Sequence, residues 1–473
     1  MDTSKIQKIE ARCNNVLQIL RSVFDSAAFS VFETLFAVAI VAFGVEVAGA
    51  VAFVALLSVK LIVCEDVLST TLPFLLLSAF VTNCYNSYNT FIAYLPVAPV
   101  PIACLLYHFV IYAKPAKTGE SVYGILFVTI AVMLGGIGGF ALMRYVKGAY
   151  YIFGLGAGMI VAYYLMKSQF SVQRPYDIRE RFSFVMTLLG VLSVAIIALG
   201  YFRWALGIKS VWGYQYGFSR NNISTFLMFA MPFPLYLARK KQWFAVFTAL
   251  IYGALCVSTS RGGLLFGSVE FLVCCVYWIY EAEGKHKFFR LFACVGTVVL
   301  IAGGFGRYIW DIIHDRILVD GIIQKDERYK MLWQAFDNFA SRPIFGTGIL
   351  DDSISYGEHM KKGAMCWYHM MIPQIIGSMG LVGVAAYLAQ GVGRIKLIFT
   401  KPCMWSLCLG ISYLGILLMS QVNPGEFCPI PFELLTVLLF IFQENRLEAP
   451  QTAEFVRLNG KIVDKYGARC YNK

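Results

Sequence analysis

Four short stretches carry residue types able to do chemistry together. Ser258-Thr259-Ser260-Arg261-Gly262-Gly263 sets hydroxyls, a guanidinium and two glycines where an apolar segment begins. A hydroxyl there caps a helix, and glycines admit a close backbone or ligand. A helix N-terminus beside an arginine fork favours an anion, phosphate above all. The competing use of Arg261 is snorkelling from the bilayer to its edge, which needs no ligand. Asp326-Glu327-Arg328-Tyr329 supplies a second guanidinium, ahead of Arg342-Pro343-Ile344-Phe345-Gly346-Thr347-Gly348, where proline and glycines force a turn. Arg328 either joins Arg261 in facing an anion or pairs with Asp326 or Glu327 on the surface. His369, in Trp367-Tyr368-His369-Met370, is a candidate general base, and equally an interfacial hydrogen-bonding residue. Arg220, in Ser219-Arg220-Asn221-Asn222, follows Trp212, Tyr214, Tyr216 and Phe218, an aromatic run that fits an interfacial belt better than sugar stacking. His314 and His359 are weaker candidates than His369.

Metal and redox chemistry have no comparable constellation. The 13 cysteines form no CxxC pair and no Cys/His spacing suited to zinc. Most, such as Cys64, Cys104, Cys256, Cys274, Cys275 and Cys294, lie in or at the ends of apolar segments and read as small apolar residues. Cys366 and Cys428 fall on one side and are close enough in topology to pair, though nothing requires it. Asp351-Asp352 is a vicinal pair rather than a spaced carboxylate set. No metal and no cofactor is implied. Glu33, Glu270 and Glu433 stand inside apolar segments, where acidic residues are functional by default, yet they suggest no relay.

The elements that position these residues are apolar helices. Of 473 residues, 58% are hydrophobic and only 14% charged, with mean hydropathy +0.65 and net charge +12. A soluble domain carries about a quarter charged residues, and the apolar blocks here have the roughly 20-residue length that crosses a bilayer. A disordered chain, a coiled coil, a disulfide scaffold and an ordinary cytosolic enzyme are excluded. The expected fold class is all-α, a polytopic transmembrane bundle of about 12–14 spans. Candidate spans fall near 24–43, 46–64, 67–85, 95–113, 121–142, 148–166, 183–201, 223–238, 242–258, 261–280, 288–304, 371–390, 403–420 and 430–443.

Lysine and arginine then set the orientation. With both termini cytoplasmic, most of the 40 basic residues fall inside, among them Lys60, Lys167, Arg239, Lys240, Lys241, Lys285, Lys287, Arg290 and Arg394. The net +12 is accounted for by orientation, without a nucleic-acid partner. The basic N-terminus and first span read as an uncleaved anchor. The expected division is a transmembrane bundle over 1–304, a long extracytoplasmic loop over 305–370, C-terminal transmembrane helices over 371–443 and a cytoplasmic tail over 444–473. In the loop, Tyr329, Leu332, Trp333, Phe336 and Phe339 recur at helical spacing, with Lys330, Gln334 and Asp337 on other faces. Such a helix either lies at the bilayer interface or packs on the bundle as a lid.

Taken in order, Ser260-Arg261-Gly262-Gly263, then Arg328, Trp333 and Pro343-Ile344-Phe345-Gly346-Thr347-Gly348, then His369 and Gly377-Ser378-Met379-Gly380-Leu381-Val382-Gly383, the pattern over about 258–390 resembles the O-antigen ligase and O-antigen polymerase superfamily of bacterial envelopes. The resemblance implies a GT-C type membrane fold in the bacterial cytoplasmic membrane, with the active site facing outward. It implies a polyprenyl-pyrophosphate-linked glycan donor and a glycan or lipid-glycan acceptor, amid membrane lipids. The chemistry it implies is metal-independent transfer using paired arginines and a histidine. On this chain those are Arg261, Arg328 and His369, with Arg220 as an additional pyrophosphate contact. Family members often carry Asn after the histidine, where this chain has Met370. Two guanidiniums, charged at any relevant pH, would stabilise the departing pyrophosphate, His369 would take the acceptor proton, and direct displacement would invert the anomeric centre. Polymerase and ligase are not separated, although fourteen spans lean towards a polymerase. The rival from another class is a transporter or flippase of lipid-linked glycans, whose folds often show repeated halves and broken midplane helices; no repeat is visible here.

Overall fold

The computed structural model describes residues 3–66, 68–84, 95–113, 116–138, 151–170, 176–208, 215–314, 327–349, 368–448, 455–458 and 461–464. The described part of every apolar segment is helical, which makes the chain a polytopic helical bundle. In chain order the helices are α1 (Thr3–Phe24), α2 (Ala27–Phe43), α3 (Glu46–Val63), α4 (Leu68–Cys84), α5 (Pro99–Tyr112), α6 (Ser121–Gly138), α7 (Met159–Gln169), α8 (Ile178–Ala205), α9 (Arg220–Ala230), α10 (Phe233–Leu237), α11 (Ala245–Val257), α12 (Arg261–Glu281), α13 (Lys285–Ile313), α14 (Glu327–Ser341), α15 (Met371–Phe399), α16 (Met404–Met419) and α17 (Leu434–Glu448). One antiparallel hairpin, β1 (Phe455–Leu458) with β2 (Lys461–Asp464), follows α17 and sets Phe455 opposite Asp464.

Among the described residues five helices are long and apolar enough to cross a membrane: α3, α8, α12, α13 and α15. The end of α1 and α2 make a sixth, bent by 62°. Ser26 sits at that bend and accepts a hydrogen bond from Phe29 N–H at 3.0 Å, which restarts the helix. The α4, α5, α6, α11 and α16 helices are apolar but shorter.

Two apolar cores organise the bundle. The larger joins α2, α4, α8, α9, α11, α12, α16 and α17 around Phe182, Phe226, Phe229 and Phe233, each fully buried. The second lies between α6, α14 and α15, around Val132, Met331, Tyr368 and Met379. Its helix α14 presents a face other than the aromatic one. Met331, Ala335, Gln334 and Asn338 are buried, whereas Tyr329, Trp333 and Phe336 are exposed and meet one another along the helix, edge-on and tilted. The helix therefore packs on the bundle with its small and amide side chains and turns its aromatics towards the surroundings.

Several loop cations of the sequence reading are interior instead. Lys60 is 1% exposed and sits 2.6 Å from Glu33. Lys167 lies 3.3 Å from Glu444. Arg394 is held by Glu433 at 2.9 Å and by Glu426. The membrane glutamates Glu33 and Glu433 are thus half of buried ion pairs, the arrangement that makes a charge tolerable away from water. Glu270 differs: it is fully buried, packed against Gly415, and neither carboxyl oxygen has a hydrogen-bond partner.

Candidate functional site

Arg261 is the first residue of α12, and the turn before it is built by three hydroxyls. Ser260 caps the helix by accepting from Gly263 N–H at 3.1 Å, and its own hydroxyl donates to Asn221 Oδ1 at 3.0 Å. Ser258 and Ser224 share a hydrogen bond at 3.0 Å. Between them Thr259 takes φ 63°, a conformation that a β-branched residue adopts only under constraint. The glycines are needed for closeness. A Cβ on Gly263 would lie 2.6 Å from the Ser224 hydroxyl, and one on Gly262 would overlap Val422. The start of α12 is therefore wedged between the first turn of α9 and the 420–426 loop. Arg261 is half-buried there, while Arg220, the first residue of α9, is exposed. The bond from Ser260 to Asn221 ties their two helix starts together.

His369 precedes α15 and is also left-handed, with φ 52°. Its neighbours are fixed: Tyr368 N–H donates to Gln374 Oε1 at 3.0 Å, and Met371 N–H donates to the Ser420 carbonyl at 2.8 Å. The Tyr368 hydroxyl accepts from Asn338 Nδ2 of α14 at 2.6 Å. Ser420 begins the loop that carries Val422, and Asn423 in the same loop donates to Asn222 Oδ1 at 3.4 Å. One hydrogen-bonded path thus runs from the α12 cap through α9 and the 420–426 loop to the histidine segment.

The glycine-rich stretches between Arg328 and the end of the pattern dock on each other. Within α15, Gly380 breaks the helix at φ 59°, ψ −148°. The backbone freed there pairs with the loop after α14: Leu381 N–H donates to Pro343 O at 2.8 Å and Val382 N–H to Ile344 O at 3.2 Å. In return Thr347 N–H reaches Gly377 O at 3.0 Å and Gly348 N–H reaches Ser378 O at 2.9 Å. A side chain on Gly346 or Gly380 would overlap the opposite backbone. Arg328 is half-buried in the first turn of α14, one turn from Met331, which packs in the same core as Tyr368 and Met371.

The family model described as O-Antigen ligase matches residues 244–388. The match supports the O-antigen ligase/polymerase superfamily for this region. Neither the curated proteins nor the solved structures contain a match to the chain. The ligase region runs from α11 into α15 and contains Arg261, Arg328 and His369; Arg220 lies before it. The match covers under a third of the chain; in general terms it supports a glycan-transferring enzyme of the ligase or polymerase type in a bacterial membrane, acting between a lipid-linked glycan and an acceptor.

Around the ligase region, other candidates find different places. Tyr216 packs on Tyr201 at 4.5 Å and Phe218 is buried, so these rings belong to the end of α8 rather than to an open sugar platform. His314 is exposed at the end of α13, stacked on Trp310. Trp212, Tyr214, Asp326, Asp351, Asp352, His359, Cys366 and Trp367 lie outside the described residues, so the Cys366–Cys428 pair and the Asp326 alternative for Arg328 do too. Among the described residues no three metal-ligating side chains cluster. The sequence reading missed the 420–426 loop, which touches both the α12 start and the histidine segment. Its signals were present: Asn423-Pro424-Gly425 is a turn sequence, and Gly425 has φ 50° beside Ser420. Asn338 was missed because the aromatic stripe of α14 drew attention to the opposite face.

Proposed function

We propose that this protein transfers a glycan from a polyprenyl-pyrophosphate donor to an acceptor hydroxyl at the outer face of the bacterial cytoplasmic membrane, with Arg261, Arg328 and His369 as the reacting set. Support comes from one observation above the others. Among the described residues of the ligase region the two left-handed non-glycine residues, Thr259 and His369, lie next but one to Arg261 and at the proposed base itself, and both are tied to the same 420–426 loop and α9 framework. Backbone strain of about 1–3 kcal/mol per residue persists only where the surroundings impose it, and it concentrates at sites that position chemistry.

In the proposed reaction the acceptor oxygen attacks the anomeric carbon while the bond from that carbon to the pyrophosphate oxygen breaks. The bonding electrons leave with the polyprenyl pyrophosphate, and the hydroxyl proton passes to His369. Arg261 and Arg328 neutralise the leaving group, with Arg220 as an outer contact. A fixed guanidinium needs no reorganisation as charge develops, which gives it leverage on the transition state. Inversion and metal independence are parts of this proposal.

The test is transfer in vitro from a defined polyprenyl-pyrophosphate glycan, with products separated by size and anomeric configuration. Arg261→Gln and Arg328→Gln are each expected to lower the rate by roughly 10²–10³-fold, and His369→Gln by roughly 10²–10⁴-fold. Chelator should leave the rate unchanged. Full activity in all three variants overturns the assignment.

A further inference from the structure

Towards the far end of α12 from Arg261, about 15–26 Å away by helical rise, a cavity of about 300 Å³ opens between α11, α12 and α13. That volume falls within the range of small-ligand pockets. Its inner wall is Thr248, Phe271 and Cys294, all buried; Trp243 and Phe289 stand exposed beside the entrance. The cavity lining continues along α13 from Phe289 to Thr297, about 12 Å of depth at the helical rise. It is mostly apolar, with Thr248, Thr297 and Gln242 its polar lining residues, and carries no charged lining residue, so it has the shape and chemistry of a slot for a hydrocarbon chain.

The charge flanking the lining residues is mainly positive. Arg239, Lys240 and Lys241 immediately precede the lining residue Gln242, and Lys285, Lys287 and Arg290 surround Phe289. Three of these six are committed to the protein. Arg239 pairs with Glu281, Lys240 pairs with Glu180, and Arg290 donates to the Trp278 carbonyl at 2.6 Å while lying 3.5 Å from Glu281. The other three, Lys241, Lys285 and Lys287, are exposed and have no ion pair among the described residues. Exposed Glu283 is the one further acid in the turn between α12 and α13. An apolar slot with unpaired lysines at its rim complements an anionic head on an acyl chain. We infer that this end of the bundle binds an anionic phospholipid, with one acyl chain between α11, α12 and α13 and its phosphate at Lys241, Lys285 and Lys287. A general excess of basic residues at one membrane face orients a protein without any such slot; here the lysines stand one to four residues from lining residues of a cavity that neutral lipid would fill equally well, which gives the two ideas different outcomes.

The experiment is native mass spectrometry of the detergent-purified full chain titrated with phosphatidylglycerol, and in parallel with phosphatidylcholine of the same acyl chains and with polyprenyl phosphate. Phosphatidylglycerol is expected to be retained and phosphatidylcholine lost. The triple variant Lys241→Gln, Lys285→Gln, Lys287→Gln touches only exposed side chains and should weaken phosphatidylglycerol by roughly 100-fold, from about fivefold per lysine. Ala249→Trp, or Thr297→Phe if the first variant does not stay monodisperse, fills the slot and should abolish retention with the lysines intact. Equal retention of the two phospholipids, an unchanged triple variant, retention after the slot is filled, or binding of polyprenyl phosphate alone overturns the inference.

Discussion

Gly380 is the residue on which the geometry of the ligase region most directly depends, and its replacement by alanine can be worked through. At φ 59°, ψ −148° it occupies a region closed to side chains, so alanine imposes about 1–3 kcal/mol of strain if the backbone stays. Staying is not possible without further loss. The new Cβ would overlap the Pro343 carbonyl and lie 2.8 Å from Gly346 N, both backbone atoms with no rotamer to escape into. Relief requires the loop after α14 to withdraw, giving up the bonds from Leu381 N–H to Pro343 O and from Val382 N–H to Ile344 O, at about 1 kcal/mol each. The sum is about 3–5 kcal/mol, a large part of the total stability of an ordinary protein. Gly391 lies in the same helix with open space around its Cβ position and an ordinary helical backbone. Gly391→Ala should be neutral or stabilising by about 0.5–1 kcal/mol. The two variants are compared by SDS titration in mixed micelles, following tryptophan fluorescence, and by glycan transfer in membranes. Gly380→Ala is expected to unfold at lower SDS and to lose most activity while the protein remains membrane-inserted; Gly391→Ala is expected to match the parent in both. Equal behaviour of the two variants would refute the argument that the break in α15 is built for the loop.

Three further outcomes follow from buried contacts. Gly263→Ala should destabilise the α12 start by pressing on Ser224, and Ser224→Gly in the same chain should recover part of the loss; no recovery in the SDS titration denies the close contact. Glu33→Ala should cost about 3–5 kcal/mol by stranding the Lys60 ammonium, whereas Glu33→Leu with Lys60→Met should come within about 1 kcal/mol of the parent or exceed it. A double variant as unstable as the single one contradicts this. Glu270→Met removes a buried carboxyl that has no hydrogen-bond partner, so stability should rise by about 1–3 kcal/mol; a fall would mean that the carboxyl makes an interaction the structure does not account for.

Much of the fold was legible because its signals are local. Apolar length marks a helix, and Ser260 and the glycines mark where one begins or breaks. The motifs at 258–263, 343–348 and 377–383 were recognisable as a set, and their glycines prove to be contact points between those very segments and their neighbours. What stayed illegible is pairing across the chain. Nothing near Lys60 identifies Glu33, and nothing near Arg394 identifies Glu433 and Glu426, so positive residues at span ends were counted as loop cations although the bundle buries them. Which face of α14 packs inward was not legible for a related reason. In water its aromatics would turn inward, but against a membrane protein the small and amide face can pack on α15 while the rings meet lipid. Hydrophobic periodicity finds a stripe; it does not say which phase the stripe faces.

Left-handed backbone at a non-glycine residue is not by itself a mark of function, and this chain contains its own comparison. Among the described residues, Thr259, His369 and Lys401 share the conformation. Lys401 lies in the turn between α15 and α16, where Arg446 donates to its carbonyl and to Thr400 O at 2.8 Å. Its conformation serves a helix-to-helix turn whose carbonyls are satisfied from α17, and its exposed side chain is not drawn into any packed segment. Thr259 and His369 are different. Each is bracketed by side-chain or backbone bonds to elements distant in sequence, through Asn221 and Asn222 on one side and Ser420 and Asn423 on the other. Lys401 is also held from a distance, by α17, but at an exposed helix-to-helix turn, whereas these two conformations lie within a packed framework assembled from α9, α12, α15 and the 420–426 loop. The framework therefore fixes the direction in which the chain leaves Arg261 and His369. That is the property the proposed site would need in order to hold a guanidinium and an imidazole on opposite sides of a bond being broken, and the residues that build the framework are hydroxyls, amides and glycines rather than further charges.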